Sequence, residues 1–186
     1  MPGIDVRYQP VRYYLYGNLA SSVIGYVSSI SSTQKEKLEL KGYDASTDKI
    51  GASGIEAAFE QELKGAKGEN TVKVNTFGRI TEELYRKETF PGNNVHLSLD
   101  SPLQYTAERS LKEALQELSA KRVIDNGRNI VANANRGAVV VTEVNTGRVL
   151  AMASYPDFDP NIFTIPGMLT DELSEKYFTP DYEAFA

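Results

Sequence analysis

The feature that most constrains the fold is a predicted β-hairpin between Arg136 and Ser154. Its strands, residues 138–144 and 148–154, are joined by Asn145-Thr146-Gly147, which places glycine where a three-residue connection needs a left-handed residue. The outgoing strand is apolar at nearly every position, which predicts burial on both faces of a larger sheet. One hairpin cannot form that sheet, and partner strands are hard to find elsewhere. The pattern favours a chain that stops early, with this hairpin disordered, paired between chains or rearranged.

A long amphipathic helix is predicted before the hairpin. Ser101 is an N-cap residue, Pro102 suits the first helical position, and Gln104 stands at capping-box spacing from Ser101. The apolar stripe that predicts the helix consists of Leu103, Ala107, Leu111, Leu115 and Leu118.

A second capped helix is predicted from Ser53 to Leu63. Ser53 and Glu56 have the capping-box spacing, in which each side chain satisfies a free backbone N–H of the first turn. One face carries Ile55, Phe59 and Leu63, and Gly65 ends the helix.

Shorter elements complete an α+β pattern. Further strands are predicted over residues 4–16, 25–27, 71–80 and 95–99, and further short helices over 34–40 (capped by 31–33) and from near Thr170. Phe90-Pro91-Gly92 is a turn signal that follows a charged stretch. We place a domain boundary there, which divides the chain into residues 1–92 and 93–186.

Composition excludes several function classes. The chain has 20 Lys and Arg against 25 Asp and Glu, and it lacks the basic stripe of a duplex-binding protein, so no nucleic-acid partner is predicted. It has no cysteine, which excludes disulfides and thiolate catalysis. No apolar stretch is long enough to span a bilayer, and no signal segment is visible. We expect a soluble chain, with any membrane anchor of its parent protein lying upstream.

Ser-x-x-Lys occurs twice, at Ser32 to Lys35 and at Ser46 to Lys49. A lysine one helical turn after a serine can take its proton and activate it for acyl transfer. Neither match has the apolar helix that such a nucleophile needs, and Lys-Thr-Gly is absent. Coincidence is the favoured interpretation of both.

Other titratable residues favour ordinary structural roles. His96 is the single histidine and is predicted to lie exposed on a strand, so neither a triad nor a zinc site is expected. Asp157 and Asp159 flank one phenylalanine before Pro160, which is typical of turn formation. We predict no cofactor and no metal, and no catalytic residue is indicated by local chemistry.

Four phrases, in order along the chain, carry a family resemblance. They are residues 10–26, Gly51-Ala-Ser-Gly-Ile-Glu56, residues 94–104, and residues 136–161 with Gly147-Arg-Val-Leu-Ala-Met-Ala-Ser-Tyr-Pro156. The first two resemble parts of the pedestal (dimerisation) domain of class B penicillin-binding proteins, namely its entry and its Gly-x-x-Gly-Ile-Glu helix. The last two resemble parts of that family's transpeptidase domain, namely its start and its first hairpin with the loop that follows. The first phrase is closer to the cell-elongation type, penicillin-binding protein 2, than to the division type.

The resemblance implies a pedestal domain over residues 1–92, followed by the N-terminal helix and hairpin of an incomplete transpeptidase domain. It implies a parent protein anchored in the bacterial cell membrane that cross-links peptidoglycan outside the cytoplasm as a D,D-transpeptidase. That parent would act on stem peptides and be acylated by β-lactams. It would contact a lipid II polymerase of the RodA or FtsW kind through the pedestal. A homodimer is also compatible with the resemblance.

The family's catalytic motifs lie downstream of the hairpin, so the resemblance places no catalytic residue in this chain. It implies a scaffolding role, with structural or partner-contact positions at Arg12, Tyr14, Gly17, Ser53, Gly54 and Glu56. Leu15 departs from the family, which often has proline there. Two alternatives stay open: a self-contained serine acyltransferase or hydrolase using Ser32 or Ser46, and a stand-alone interaction module.

Overall fold

The computed structural model describes residues 11–125, 128–131 and 134–178, which fall into two compact units. The first unit combines the chain up to Ala57 with the chain from Ser98 onward, and the second is Ala58–Leu97. The chain therefore leaves the first unit once and returns to it once. The boundary that the sequence suggests at Gly92 falls within the second unit and stays a prediction.

The N-terminal part of the first unit consists of short elements around a two-stranded antiparallel sheet. They are α1 (Ser21–Ile24), β1 (Val27–Ser29), α2 (Lys35–Glu39), β2 (Lys49–Gly51) and α3 (Gly54–Ala58). Helix α2 begins after Gln34, whose side chain makes no capping bond, so the cap predicted over 31–33 is wrong. Of the strand predicted over 4–16, residues 11–14 have no regular structure and 1–10 lie outside the described residues.

The C-terminal part of the first unit contains the long helix and the hairpin. Its elements are α5 (Ser101–Ala120), β5 (Arg122–Asp125), β6 (Arg128–Val131), β7 (Gly137–Thr142), β8 (Val149–Tyr155), α6 (Asn161–Thr164) and α7 (Asp171–Phe178). The predictions of α5, of the β7–β8 hairpin and of the final helix are confirmed. The β5–β6 hairpin and α6 were not indicated by the sequence.

One face of the β7–β8 hairpin forms the core with α5. Ala151 and Ala153 of β8 are fully buried, and Leu115 of α5 is buried as well. On the opposite face Val140 is 56% exposed and Met152 is 38% exposed. The prediction of burial on both faces is therefore wrong for this structure, because among the described residues the sheet has only these two strands and no layer covers its outer face.

Asp100, rather than Ser101, caps α5. Its Oδ1 accepts the backbone N–H of Leu103 at 2.9 Å, so Ser101 becomes the first helical residue and the capping box predicted for Ser101 and Gln104 is wrong. The Asp100 carboxylate makes the capping bond that was predicted for Ser101, and it also places a negative charge at the helix N-terminus. Gln104 is thereby free to bond elsewhere.

The second unit contains α4 (Glu60–Leu63) and a hairpin of β3 (Glu69–Val74) and β4 (Ile80–Lys87). The helix predicted over 53–63 is divided at Phe59, whose φ of −113° and ψ of 26° interrupt the helical backbone. The strand predicted over 95–99 is wrong, because these residues form no strand. The sequence does not predict strand β4, because half of its residues are charged and its apolar residues do not alternate.

Candidate functional site

Arg12 and Glu56 form a bidentate ion pair within the first unit. Arg12 Nε lies 2.7 Å from Glu56 Oε1, and Nη2 lies 2.8 Å from Oε2. Glu56 is 5% exposed, whereas the Arg12 side chain is 39% exposed. The hydrogen bond to Glu56 raises the pKa of Arg12 although burial acts against it. Such a fork-to-fork contact fixes the direction of both side chains as well as their distance.

The pairing of Glu56 corrects the capping box predicted for Ser53 and Glu56. Both carboxylate oxygens accept from Arg12, 44 residues away, and Ser53 contributes its carbonyl, which accepts the N–H of Ala57 at 3.1 Å. A full positive charge is a stronger partner for a buried carboxylate than a backbone N–H is.

Gly54 allows two backbone segments to cross beside this pair. Its φ is +58°, and a Cβ built there would lie 2.4 Å from the carbonyl oxygen of Val23 and 2.7 Å from the nitrogen of Gly25. A side chain cannot fit without moving one backbone from the other. Gly54 thus sets the approach of α3 to the end of α1.

The backbone of Tyr14 is held by the side chain of Asn161. Asn161 Oδ1 accepts the Tyr14 N–H at 2.9 Å, and its Nδ2 donates to the Tyr14 carbonyl at 3.0 Å. Asp159 Oδ1 accepts from both the backbone N–H and the side-chain amide of Asn161 at 2.9 Å. The buried amide therefore pairs with residue 14 as a neighbouring strand would. The turn-forming role predicted for Asp159 is confirmed.

The side chain of Tyr14 is buried beside the ion pair. Within the described part of the chain its hydroxyl has no hydrogen-bond partner. Burial, and next the negative charge of Glu56, raise the pKa of Tyr14. The phenol is therefore neutral at physiological pH. Gly17 follows with φ of +57°, and its N–H donates to the Tyr14 carbonyl at 3.2 Å.

The side chains of Gln104 and Glu108 connect further elements of the first unit. Gln104, which is 1% exposed, accepts the Met152 N–H and donates to the Met152 carbonyl, both at 2.8 Å. Glu108 Oε1 accepts from Gln104 and from the N–H of Ala20 at 2.7 and 2.8 Å. Gln104 thus ties α5 to β8, and Glu108 ties α5 to the start of α1.

An aromatic cluster completes the contact between the two parts of the first unit. Tyr26 stacks on Phe163 with ring centroids 4.2 Å apart and meets Phe158 edge-on at 5.9 Å. Tyr177 of α7 meets both phenylalanines at 6.2–6.3 Å. Such edge and tilted contacts add to the burial of the rings.

The sequence pattern did not indicate Asn161, Gln104 or Glu108 as joining residues. Asn161 lies in one of the four phrases that resemble the family. The signal that could have indicated it is that it is a polar residue between apolar neighbours. The sequence predicts that Gln104 takes part in a capping box with Ser101, and in the structure Gln104 bonds to other residues instead. Their partners lie 48 to 147 residues away along the chain, beyond the reach of any local pattern.

Arg12 and Glu56 also line a shallow groove of about 250 Å³ along residues 12–17. Its rim carries large apolar side chains that remain in solvent: Tyr13 is 62% exposed, Tyr16 is 77% exposed and Leu15 is 80% exposed. Exposed aromatic and aliphatic residues gathered around a charged pair are typical of a surface that contacts another protein.

The structure does not assemble either candidate serine nucleophile. Ser46 Oγ donates to Asp44 at 2.6 Å, and Lys49 Nζ donates to Ser29 at 2.6 Å. Lys35, the partner proposed for Ser32, lies 3.8 Å from Glu39 on exposed α2. The self-contained acyltransferase is therefore not favoured. His96 is exposed, as predicted.

No group of three or more metal-ligating residues occurs in the described ranges. None of the helices described there is long and apolar enough to cross a membrane.

Comparison with known proteins agrees with this geometry. Residues 1–97 match the family described as the penicillin-binding protein dimerisation domain. The chain is 37% identical to the peptidoglycan D,D-transpeptidase MrdA of Escherichia coli K12 over 177 residues, which cover 93% of this chain and 24% of that protein. MrdA of Acinetobacter baumannii is 35% identical over 162 residues, 87% of this chain and 21% of that protein. The peptidoglycan D,D-transpeptidase FtsI of E. coli is 29% identical over 183 residues, 98% of this chain and 25% of that protein.

Two solved structures share the fold. One belongs to a peptidoglycan synthase complex that coordinates polymerization and crosslinking, with a TM-score of 0.69 and 36% identity over 88% of this chain and 27% of that one. The other is penicillin-binding protein 2 in complex with MreC from Helicobacter pylori, with a TM-score of 0.60 and 26% identity over 89% of this chain and 26% of that one. The chain spans about a quarter of the length of these relatives. It belongs to the penicillin-binding protein dimerisation domain family and is of the penicillin-binding protein 2 type.

Proposed function

We propose that the chain is a non-catalytic part of a peptidoglycan D,D-transpeptidase in bacterial cell-wall synthesis. It positions the start of the transpeptidase domain and contacts a lipid II polymerase of the RodA or FtsW kind. The parent protein would be anchored in the cell membrane and act on its extracytoplasmic side. In this proposal residues 1–92 form the pedestal and 93–186 begin the transpeptidase domain.

The observation that carries the positioning role is the joint between the two parts of the first unit. The buried amide of Asn161 pairs with both backbone groups of Tyr14, and Glu108 accepts the N–H of Ala20. Because an unpaired buried backbone group costs about 1–3 kcal/mol, neither contact can be broken cheaply. The N-terminal segment and the start of the transpeptidase domain are thus held in one defined arrangement.

The six family positions divide between these tasks. Arg12 and Glu56 fix the segment that leads toward the second unit, and Gly54 with Ser53 sets the crossing of α3 and α1. Tyr14 and Gly17 hold the turn that Asn161 recognises. We assign all six to geometry and partner contact and none to catalysis.

The partner role rests on the exposed apolar rim of the groove. Leu15 and Tyr16 lie largely in solvent, yet both line the same groove as the Arg12–Glu56 ion pair. The solved relatives are found in assemblies, one with polymerization and crosslinking in one complex and one with MreC. We therefore assign the rim to contact with such a partner, the polymerase first.

The decisive experiment measures binding of this chain to a purified RodA- or FtsW-type polymerase in detergent. We expect Leu15→Glu to weaken binding about tenfold, as loss of an interface anchor does. Leu40→Glu is the matched control, since Leu40 is 91% exposed and lies on the loop after α2, outside the groove. Equal effects of both variants would refute the assigned surface, and absence of binding by the unaltered chain would refute the polymerase contact.

A second measurement separates this proposal from the acyltransferase alternative. Incubation with a labelled penicillin is expected to leave the chain unmodified. Covalent labelling that disappears in Ser32→Ala or Ser46→Ala would contradict the non-catalytic role.

A further inference from the structure

The turn of the β3–β4 hairpin presents three large apolar side chains to solvent. Phe77 in the turn is 87% exposed, and Val74 and Ile80, which pair across the two strands next to the turn, are each more than half exposed. No residue of Ala58–Leu97, all of which the structure describes, is buried, so these side chains contribute little to a core. We call residues 74–80 the hairpin tip.

Hydrogen bonds within the hairpin tip hold Phe77 in a fixed place. The carbonyl of Asn75 accepts the N–H of Gly78 at 2.9 Å. The side-chain Oδ1 of Asn75 accepts the N–H groups of Phe77 and Arg79, both at 3.0 Å. Gly78 has a φ of +75°, which is the left-handed conformation that a three-residue connection of this kind needs. The turn is therefore well specified, and it holds an aromatic ring in solvent.

The segment that contains the hairpin tip carries only positive charge. From Asn70 to Thr81 the chain has Lys73 and Arg79 and no acidic residue. Lys73 lies 3.7 Å from Glu82 in an exposed pair, whereas Arg79 forms no ion pair with any residue that the structure describes. This end of the hairpin thus combines exposed apolar side chains with a cation that has no protein partner there.

We propose that the hairpin tip contacts the surface of an anionic lipid bilayer. Phenylalanine and aliphatic side chains beside lysine or arginine, with no acidic residue among them, are typical of segments that lie in a membrane interface. Phe77 enters the boundary between the headgroups and the acyl chains, with Val74 and Ile80 beside it. The long aliphatic stem of Arg79 lets its guanidinium stay among the lipid phosphates, which attract it.

The size and charge of the hairpin tip favour a lipid surface over other partners. A specific protein interface normally buries about 800 Å² on each partner, with shape complementarity that one turn of chain cannot supply. A nucleic acid needs a basic stripe, whereas Glu69, Glu82 and Glu83 follow directly on either side of the tip segment. A bilayer requires neither, because it accepts a small apolar protrusion at any point.

The lipid contact is weak and reversible, since even one myristoyl chain gives only marginal membrane binding. In a parent protein that is anchored in the membrane, as proposed above, the bilayer is always close, so a weak contact suffices to orient the second unit. The contact itself depends neither on that anchor nor on polymerase binding at the groove, because the tip and the groove belong to different units. It can be tested on this chain alone.

A tryptophan placed at the tip tests insertion, because the chain has no tryptophan of its own. The probe is a vesicle of phosphatidylcholine and phosphatidylglycerol. We expect the fluorescence of Phe77→Trp to shift to shorter wavelength when these vesicles are added, and to be quenched by brominated lipid. Phe90→Trp is the matched control: Phe90 is 65% exposed and pairs with Ala66 at the opposite end of the hairpin, so its emission should not change.

Sedimentation with the same vesicles measures the affinity. We expect the unaltered chain to pellet with them, and Phe77→Ser to lower its partition coefficient about tenfold, as loss of a buried phenylalanine does. Arg79→Glu should lower it about tenfold as well, and only when phosphatidylglycerol is present. Phe90→Ser is expected to bind like the unaltered chain. Circular dichroism melting shows that each variant is folded.

A folded chain that does not pellet with these vesicles would overturn the proposal. So would equal binding of Phe77→Ser and the unaltered chain, an equal emission shift of Phe77→Trp and Phe90→Trp, or equal binding to vesicles with and without phosphatidylglycerol. Unchanged emission of Phe77→Trp in vesicles, together with weaker polymerase binding by Phe77→Ser, would assign the tip to a protein partner and also reject the lipid surface.

Discussion

The joint between the two parts of the first unit and the β3–β4 hairpin of the second unit are built in opposite ways. At the joint, distant segments are connected by polar side chains, the buried Asn161 and the half-buried Glu108, and by the aromatic cluster around Phe163. The hairpin has local backbone pairing and exposed apolar residues, with no buried residue at all. The comparison teaches that fixed geometry in this chain comes from directional bonds and ring packing between distant segments. The hairpin instead has exposed apolar surface that is still available for contacts.

The largest effect on stability is expected for Gly54→Ala. The new Cβ would meet the Val23 carbonyl at 2.4 Å, and alanine is strained at φ of +58°. We expect a loss of about 4 kcal/mol in the free energy of unfolding, measured by urea denaturation. Gly42→Ala is the control, since its φ is +82° and its Cβ would meet nothing within 4 Å, so only about 1 kcal/mol of backbone strain applies. Equal losses would show that the crossing of α1 and α3 is not tight.

Asn161→Ala is expected to cost about 3 kcal/mol, because it leaves the buried N–H and carbonyl of Tyr14 unpaired. Thermal unfolding gives the measure. Asn18→Ala, which removes an exposed side-chain bond to Asp157, serves as control and should cost less than about 1 kcal/mol. A small effect of Asn161→Ala would mean that water replaces the amide and that the joint is not fixed by this residue.

Glu56→Ala is expected to cost about 2 kcal/mol, since it removes a buried carboxylate and leaves Arg12 partly buried without its partner. Glu39→Ala, at an exposed pair with Lys35, should change stability by no more than about 0.5 kcal/mol. If the two losses were equal under urea denaturation, the Arg12–Glu56 pair would count as an ordinary surface contact.

Tyr14→Phe tests the buried phenol. Because the hydroxyl makes no hydrogen bond among the described residues, its removal should change stability at neutral pH by less than about 1 kcal/mol. The pKa of Tyr14 is raised in the folded state, so its stabilising contribution is complete below the usual tyrosine pKa near 10 and is lost as pH rises above it. The unaltered chain should therefore lose stability above about pH 10 more steeply than Tyr14→Phe. Parallel pH profiles of unfolding would contradict this assignment.

The smallest effect is expected in the hairpin. Phe77 is 87% exposed in the turn between β3 and β4, so Phe77→Ser should alter the free energy of unfolding by less than about 0.5 kcal/mol at concentrations where the chain is monomeric. A loss comparable with that of Asn161→Ala would show that the second unit has packing that its exposed side chains do not reveal.

Local patterns in the sequence predicted what local physics decides. Helix α5 follows from the stripe through Leu111 and Leu115, and the β7–β8 turn follows from Gly147, which adopts φ of +73°. The contacts between distant residues could not be predicted in this way. Glu56 and Gln104 each have a serine at capping-box spacing, so the sequence predicts a local hydrogen bond for each. In the structure Glu56 bonds to Arg12 and Gln104 bonds to Met152 instead. Strand β4 was hidden because neither of its faces is buried, which removes the alternation that reveals a strand.

The contact between Tyr14 and Asn161 has a consequence for biosynthesis. The two residues are 147 positions apart in a chain of 186. At about 5–20 residues per second, a ribosome needs roughly 7–30 s to make Asn161 after Tyr14 has been made. During that interval the N-terminal segment cannot reach its final partner, and its apolar side chains stay available to chaperones or to aggregation. Folding of the first unit must therefore wait until Asn161 has been synthesised.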